Sequence, residues 1–345
     1  MIVVTEAGAT PADIERICGR IEELGLTPHV SRGENRTVIG CVGEEARRHE
    51  AALRAVPGVR RIVLIETPYK LTAREFAAGP SRIRVGEAEV GGDRVEVIAG
   101  PCSVEGADML RTVAGAVREA GASMLRGGAF KPRTSPYSFR GLGAEALDLL
   151  AAVREETGLP VVTEVVDTRH VEEVAERADV LQVGARNMQN FALLTAVGDT
   201  RRPILLKRGM SATVRDLLLA AEYVASRGNG QIILCERGIR TYETATRFTF
   251  DLAAIPVLKR ETHLPVIADP SHAAGDRDLV PSLAYAAVAA GADGLIVEVH
   301  PEPSRALSDG DQSLTLEGFA ALMAGLSRFA AAAGRRLGPA GPASA

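Results

Sequence analysis

Six basic residues stand at or just after short apolar runs in the later part of the chain: Arg126, Lys131 and Arg133 in LRGGAFKPRTSPY, Arg186 in QVGARN, Lys207 in ILLKRG and Arg237 in LCERG. The planar fork of arginine matches the two oxygens of a carboxylate or phosphate, and lysine adds a compact charge. Such a group suits substrates with several negative charges. In the first stretch Gly127 and Gly128 permit close backbone approach, while Pro132 and Pro136 stiffen the segment without helix or sheet hydrogen bonds. Composition alone would make it a solvated loop, because connections lie at the surface and are polar. Pairing with Glu164, Glu236 and similar acids would balance some of the six cations and leave others for ligands.

A second set carries different chemistry. Cys102 follows a Gly-Pro, His272 lies in DPSH, Glu298 in VEVH, and Asp309 or Asp311 supplies an acid from SDGDQSL. Thiolate, imidazole and carboxylates together suit a divalent first-row metal and tolerate several ions. His300, two residues past Glu298, is a rival ligand. His29 and His49 have no carboxylate or thiol companion at ligand spacing and read as surface or packing residues. Cys18, Cys41 and Cys235 read as small core residues, with no CxxC pair among the four cysteines.

Bringing these groups together requires a particular frame. From Arg94 onward the apolar runs VEVIAG, SMLRGGA, PVVTEVV, VLQVGA, PILLKRG, QIILCER, PVIADPS and GLIVEV are each followed by a helical pattern, the last over 316–331. Runs this continuously apolar are buried on both faces, as in a parallel sheet, and eight βα units within about 250 residues predict a closed (β/α)8 TIM barrel over 94–333. In such a barrel the strand ends share one mouth, and closure brings strand one beside strands seven and eight. The polar residues at those ends include GPCS, GARN, KR, ERG, DPSH and EVH. No GxGxxG follows a strand. Residues 1–66 instead alternate in βαββαβ order, with helices over 11–24 and near 44–55; Ile14, Ile17, Cys18, Ile21 and Leu24 form one apolar face. This predicts a small α+β ferredoxin-like domain with no catalytic group of its own, a shape that by fold analogy serves most often as a small-molecule sensor or an association surface. Residues 67–93 are Pro- and Gly-punctuated and read as a linker with a short hairpin over 81–92 turning near Gly86. Residues 334–345, ending in GPAGPASA, are expected to be a disordered tail.

The whole chain of 345 residues is 46% hydrophobic with a formal net charge of −4, so bulk charge offers nothing to nucleic acid or a membrane surface. The N-terminus lacks a basic segment followed by an apolar run, and no apolar stretch reaches the roughly 18 residues a spanning helix needs. A cytoplasmic protein in a reducing compartment is expected.

The motifs GPCSVE, LRGGAFKPRTSPYSF, QVGARNMQN, LLKRG, CERGIRT, DPSH and VEVHPEPSRALSDGDQSL resemble, in order and over nearly the whole chain, those of the 3-deoxy-D-arabino-heptulosonate 7-phosphate (DAHP) synthases. The likeness is to the microbial subgroup with a ferredoxin-like regulatory module before the barrel. It implies condensation of phosphoenolpyruvate with erythrose 4-phosphate and water, release of phosphate, and entry to the shikimate pathway and aromatic amino acid biosynthesis. It implies a divalent metal (Mn2+, Fe2+, Co2+ or Zn2+) on Cys102, His272, Glu298 and Asp309, which prefers Asp309 to Asp311 and leaves His300 outside. Phosphoenolpyruvate would be held by Arg126, Lys131, Ala185, Arg186, Lys207 and Arg237, and the sugar phosphate by Arg133, Thr134 and Ser135. Catalysis would fall to Lys131 as proton donor with Cys102 and His272, the water being activated by Glu164 or by the metal. A homotetramer inhibited by tyrosine or phenylalanine at the N-terminal module is also implied. The alternatives are 3-deoxy-D-manno-octulosonate 8-phosphate synthase, whose strand-two loop reads KANRS where this one reads KPRTS, and a non-catalytic sensor of a phosphorylated metabolite.

Overall fold

Thr10 shows how local sequence sets the first elements. Its hydroxyl accepts from the Asp13 backbone N–H while the Asp13 carboxylate accepts from the Thr10 N–H, and Pro11 supplies a preset φ at the first helical position. The helix α1, Pro11–Glu23, follows, and buries Ile14, Ile17 and Ile21. In this computed structural model, which describes residues 1–33, 36–43, 46–64, 68–131, 137 and 139–338, α1 lies between β1 (Ile2–Thr5) and β2 (Thr27–Arg32). β3 (Thr37–Val42), α2 (Glu50–Arg54) and β4 (Val59–Val63) complete the βαββαβ order, with the sheet arranged β2-β3-β1-β4 and β1 antiparallel to both neighbours. Met1, Val3, Ile14, Ile17, Ile21, Leu26, Ile39, Cys41 and Leu53 form its core.

The second helix is shorter than its sequence pattern. Residues Ala46–His49 form a 3-10 turn before α2. Arg47, Arg48 and His49 put basic groups where a helix N-terminus favours acidic ones, and no side chain caps the start of α2.

The chain divides into two units, Met1–Ser81 with Lys259–Leu264, and Arg82–Leu258 with the chain from Pro265. Within the first, Tyr69, Leu71, Thr72 and Ala73 are buried. His263 Nε2 donates to Leu71 O at 2.8 Å, the Thr262 hydroxyl donates to Thr72 O, and the Ser81 N–H donates to His263 O at 2.7 Å. The connection between module and barrel is thus partly buried structure.

The second unit opens with the hairpin β5 (Ile83–Val85) and β6 (Ala88–Val90), turning at Gly86 with φ +58°. Eight parallel strands follow: β7 (Arg94–Gly100), β8 (Met124–Arg126), β9 (Val161–Glu164), β10 (Val180–Val183), β11 (Ile204–Lys207), β12 (Ile232–Glu236), β13 (Val266–Ala268) and β14 (Gly294–Glu298). Each pairs with the next, and β14 pairs with β7 from Gly294 opposite Glu96 to Glu298 opposite Gly100, closing the barrel. The intervening and final helices are α3 (Ala107–Glu119), α4 (Ala144–Thr157), α5 (Val171–Arg177), α6 (Phe191–Asp199), α7 (Val214–Ser226), α8 (Ala254–Glu261), α9 (Pro270–Ala274), α10 (Val280–Ala289) and α11 (Leu316–Ala332). Ile98, Met124, Val162, Val180, Leu205, Ile233, Ile267 and Ile296, one from each strand, meet Ile83, Val85, Ala88 and Val90 of the hairpin. The hairpin therefore plugs the barrel at the N-terminal ends of its strands and leaves the other mouth for loops.

Part of the expected tail is ordered. Arg336–Leu337 form β15, parallel to β7, and the Arg335 guanidinium donates to the carbonyls of Gly92, Arg94 and Ala292. The low-complexity signal begins after Leu337, and the preceding basic residue finds three acceptors. Residues 339–345 lie outside the described chain. Among the described residues no helix is long and apolar enough to cross a membrane.

Candidate active site

At the C-terminal mouth, β7 ends at Gly100 and turns into buried Cys102, whose Sγ lies 2.9 Å from Asp309 Oδ2 and accepts from Lys131 Nζ at 2.8 Å. Lys131 reaches it because Gly128 comes close to the same turn. A β-carbon at Gly128 would stand 2.6 Å from Cys102 O and 2.9 Å from Lys131 Cδ, so a larger residue would push the lysine aside. Arg126, at the end of β8, lies with Nη2 3.2 Å from Glu298 Oε1 and 3.4 Å from Cys102 O. Burial works to lower the Arg126 pKa, and Glu298 together with Cys102, Asp269 and Glu164 more than offsets it, so the guanidinium is firmly charged.

Glu298 ends β14, and its N–H donates to Ser271 Oγ at 3.0 Å. Its Oε2 accepts from Gln312 Nε2 at 2.7 Å, while its Oε1 is buried without a hydrogen bond from the described residues and lies 3.5 Å from His272 Nε2. Burial opposes ionisation of Glu298, yet His272 and Arg126 hold its carboxyl below the usual range.

His272 sits in α9, which Asp269 caps by accepting from the His272 N–H at 3.0 Å. Asp269 Oδ2 also lies 2.8 Å from His272 Nδ1 and accepts from Lys207 Nζ at 2.5 Å. Burial lowers the His272 pKa against the pull of Asp269, which keeps the imidazole neutral near neutral pH and available as a ligand.

Asp309 has φ +51°, ψ +34°, the only non-glycine residue at positive φ among those described, in the left-handed region that aspartate tolerates better than most. Its carboxyl is held well below its ordinary pKa: burial opposes this, and His272, the Cys102 thiol and Lys131 prevail. Cys102 moves the other way, pushed up to about 12 by burial and then by Glu298.

One sulfur from Cys102 and one oxygen each from Glu298 and Asp309 lie within 4.8 Å of one another, a group able to hold a metal ion. A soft sulfur beside hard oxygens fits a first-row divalent ion, and Glu298 Oε1, buried without a hydrogen bond among the described residues, is an acceptor left for it. A cation there would also favour the thiolate that burial disfavours. His272 adjoins the group through Glu298 without belonging to the mutual set. Asp311 and His300 lie outside it. The Asp311 carbonyl accepts from Arg277, and His300 Nε2 lies 3.4 Å from Glu105 Oε2.

The cations divide. Arg126, Lys131 and Lys207 are tied to the thiol and carboxylates just described. Arg237 is buried with its guanidinium 4.0 Å above the Phe248 ring and no carboxylate within salt-bridge distance among the described residues. Its pKa is lowered by burial, which Asp269 only partly offsets, as expected of a cation suited to an incoming anion. Arg186 lies in the 3-10 turn Ala185–Asn187 after β10, exposed and without an interaction with the other cations among the described residues. Arg133, Thr134 and Ser135 lie outside the described residues.

A small cleft is lined by Cys102, Arg126, Gly127, Gly128, Val162, Glu164 and Gln182. Glu236 pairs with Arg208 at 2.7 Å, and not with one of the six candidate cations. Asp269, Gln312 and Arg247 escaped the sequence reading as functional groups. Asp269 stood in a quoted strand end and Gln312 in a quoted motif, but Arg247 lies mid-loop, where neither spacing nor strand position singles it out.

Residues 71–330 match the family model described as the DAHP synthetase I family. The chain belongs to this family. Residues 1–67 match the DAHP synthase ferredoxin-like domain. A phospho-2-dehydro-3-deoxyheptonate aldolase of Thermotoga maritima is 48% identical over 334 residues, covering 97% of this chain and 99% of that protein. A crystal structure of the T. maritima DAHP synthase superposes with a TM-score of 0.78 at 47% identity, covering 97% and 98% of the two chains. A 2-dehydro-3-deoxyphosphooctonate aldolase of Syntrophotalea carbinolica is 37% identical over 257 residues, which is 69% of this chain and 92% of that one. This member of the DAHP synthetase I family thus shares its barrel with both kinds of enzyme, and its full length with the heptonate aldolase.

Proposed function

We propose that this chain condenses phosphoenolpyruvate with erythrose 4-phosphate and water to give DAHP and phosphate. The observation that carries the reading is the group of buried Cys102 and Glu298 with partly exposed Asp309, set against Arg126, Lys131, Lys207 and Arg237: a cation site and an anion site share one barrel mouth. Full-length likeness to a heptonate aldolase favours this substrate pair over arabinose 5-phosphate.

Arg126, Lys131, Lys207 and Arg237, with Ala185 and Arg186, hold the carboxylate and phosphate of phosphoenolpyruvate. Arg133, Thr134 and Ser135 take the phosphate of the sugar. Cys102, His272, Glu298 and Asp309 hold a divalent ion, one of Mn2+, Fe2+, Co2+ or Zn2+, which when bound supplies Lewis acidity to the aldehyde oxygen. Lys131 delivers a proton to the alkoxide that forms as C3 of phosphoenolpyruvate attacks. Burial works against its charge, and the Cys102 sulfur and Glu164 outweigh it, so the ammonium is present to donate. Glu164, in the wall of the cleft, orients the water that adds at C2. The hemiketal phosphate then breaks its C–O bond, and the guanidinium groups stabilise the departing dianion.

The N-terminal module is proposed to bind tyrosine or phenylalanine as a feedback inhibitor in a cytoplasmic homotetramer. The deciding measurement is phosphate release from phosphoenolpyruvate with erythrose 4-phosphate and, separately, with arabinose 5-phosphate, each with and without chelator. Chelator-sensitive release with the four-carbon sugar is expected. Preference for arabinose 5-phosphate would reassign the substrate, and no release with either would favour the sensor reading.

A further inference from the structure

Around the proposed metal ligands, the two carboxylates share an arrangement. Asp309 directs Oδ2 toward Cys102 Sγ at 2.9 Å, while its Oδ1 accepts from Arg247 Nη1 at 3.0 Å. Glu298 directs Oε1 toward Arg126 and His272, and its Oε2 accepts from Gln312 Nε2 at 2.7 Å. These outer oxygens are joined, because the same Arg247 Nη1 donates to Gln312 Oε1 at 2.6 Å. One guanidinium thus holds Asp309 directly and Glu298 through a buried amide. Gln312 is bound on both sides of its amide, which fixes its oxygen toward Arg247 and its nitrogen toward Glu298.

Arg247 is itself anchored. Its N–H donates to Ala274 O at 3.0 Å, and the next residue, Phe248, donates to Ala273 O at 3.0 Å, both carbonyls belonging to the helix that carries His272. A β-carbon on Gly275 would fall 2.5 Å from Arg247 Cβ, so the arginine stem lies directly against the end of that helix. The loop after β14 is held independently by Arg277, whose Nη2 donates to Gly310 O at 3.1 Å. The ligand-bearing segments are therefore fixed to one another by groups that are not ligands.

We propose that Arg247 and Gln312 form one positioning unit for the metal centre, turning the inner oxygens of Asp309 and Glu298 toward the ion and fixing their separation. The inference rests on the ligand assignment made above. Outer partners of ligating carboxylates generally change metal affinity by about 10- to 100-fold when removed, because the freed carboxylate must be reordered each time the metal binds. Arg247 is also a counter-charge to Asp309. An alanine there removes both orientation and charge, whereas an alanine at Gln312 removes orientation alone.

The test is titration of chelator-stripped full-length protein with Co2+, followed by the thiolate-to-cobalt charge-transfer absorption that reports Cys102 ligation. Arg247→Ala and Gln312→Ala should each weaken Co2+ binding at least tenfold, while reaching the same band at saturation. The loss in the double variant should be smaller than the product of the single losses, because Gln312 relies on Arg247 for its orientation. Cys102→Ala should lose the band. If Arg247→Ala and Gln312→Ala bind Co2+ within twofold of the parent while Cys102→Ala loses the band, the positioning unit is wrong and the ligand assignment stands, even if the metal-free variants melt earlier. Single losses that multiply fully would break the unit into independent contacts. Survival of the band in Cys102→Ala would remove the ligand assignment and the positioning unit together.

Discussion

Lys131 is asked to do two things that one substitution can separate. As a cation it helps hold phosphoenolpyruvate, and as an acid it gives up a proton. Arginine would keep the first role and lose the second, because its guanidinium does not deprotonate in proteins. Lys131→Arg should therefore leave the KM for phosphoenolpyruvate within a few fold and lower kcat by about 10²- to 10⁴-fold, the usual contribution of a positioned acid. Steady-state kinetics on both substrates give the answer. An equal loss in kcat/KM carried by KM alone would make Lys131 a binding residue only. The 2.8 Å contact with Cys102 Sγ adds a second readout, since Lys131 helps to lower the thiol pKa against burial and Glu298. Removing the charge with Lys131→Met should make the metal-free thiol still slower to alkylate.

Among the elements, β9 and β10 show how backbone space is used. Gly184 follows β10, and a β-carbon there would fall 2.0 Å from Glu164 Oε1 at the end of β9. Gly184→Ala must therefore displace the Glu164 carboxylate; it should lower kcat by at least tenfold with circular dichroism unchanged, and activity equal to the parent would remove Glu164 from the mechanism. At the opposite end, buried Glu96 of β7 has its pKa raised by burial, with the Ser123 hydroxyl bond only partly offsetting this. A carboxyl raised in the folded state contributes stability below its unfolded pKa and loses it as pH rises through the folded value. Glu96→Gln, never charged, should thus gain in melting temperature over the parent as pH goes from 5 to 8. A difference independent of pH would place the ionisation cost elsewhere. These elements were largely legible in the sequence: seven of the eight barrel strands fall within the apolar runs and β7 begins one residue earlier, at Arg94, because burial on both faces keeps the strands mostly apolar, with Glu96, Thr163 and Gln182 as buried polar exceptions. The pairing of charges was not. Glu236 reaches Arg208, Lys207 reaches Asp269 and Arg247 reaches Asp309, choices made by side-chain reach across neighbouring strands and loops that no linear spacing encodes. The start of α2 was missed for a related reason, since hydrophobic periodicity continued past the point where capping and dipole terms fail.

For the molecule as a whole, the division of labour between module and barrel can be tested by where the chain is cut. In this chain the cut site matters. Leu71 O and Thr72 O accept from the buried His263 and Thr262, and Ser81 donates to His263 O. A chain beginning at Leu71 keeps all three bonds; one beginning at Arg82 leaves two buried side-chain donors and a carbonyl without those partners. Each such group costs about 1–3 kcal/mol when it stays unpaired, and about 1 kcal/mol moves the melting point of a domain this large by roughly 2–4 °C. The Arg82 form should therefore melt at least 5 °C, on the order of these sums, below the Leu71 form. Both should release phosphate from phosphoenolpyruvate and erythrose 4-phosphate, since no proposed catalytic group precedes Cys102. Neither should respond to tyrosine or phenylalanine, because the proposed receptor, residues 1–66, is gone from both. Full inhibition of the Leu71 form would move the effector site into the barrel, and equal melting points would show that the 71–81 segment is a dispensable connection.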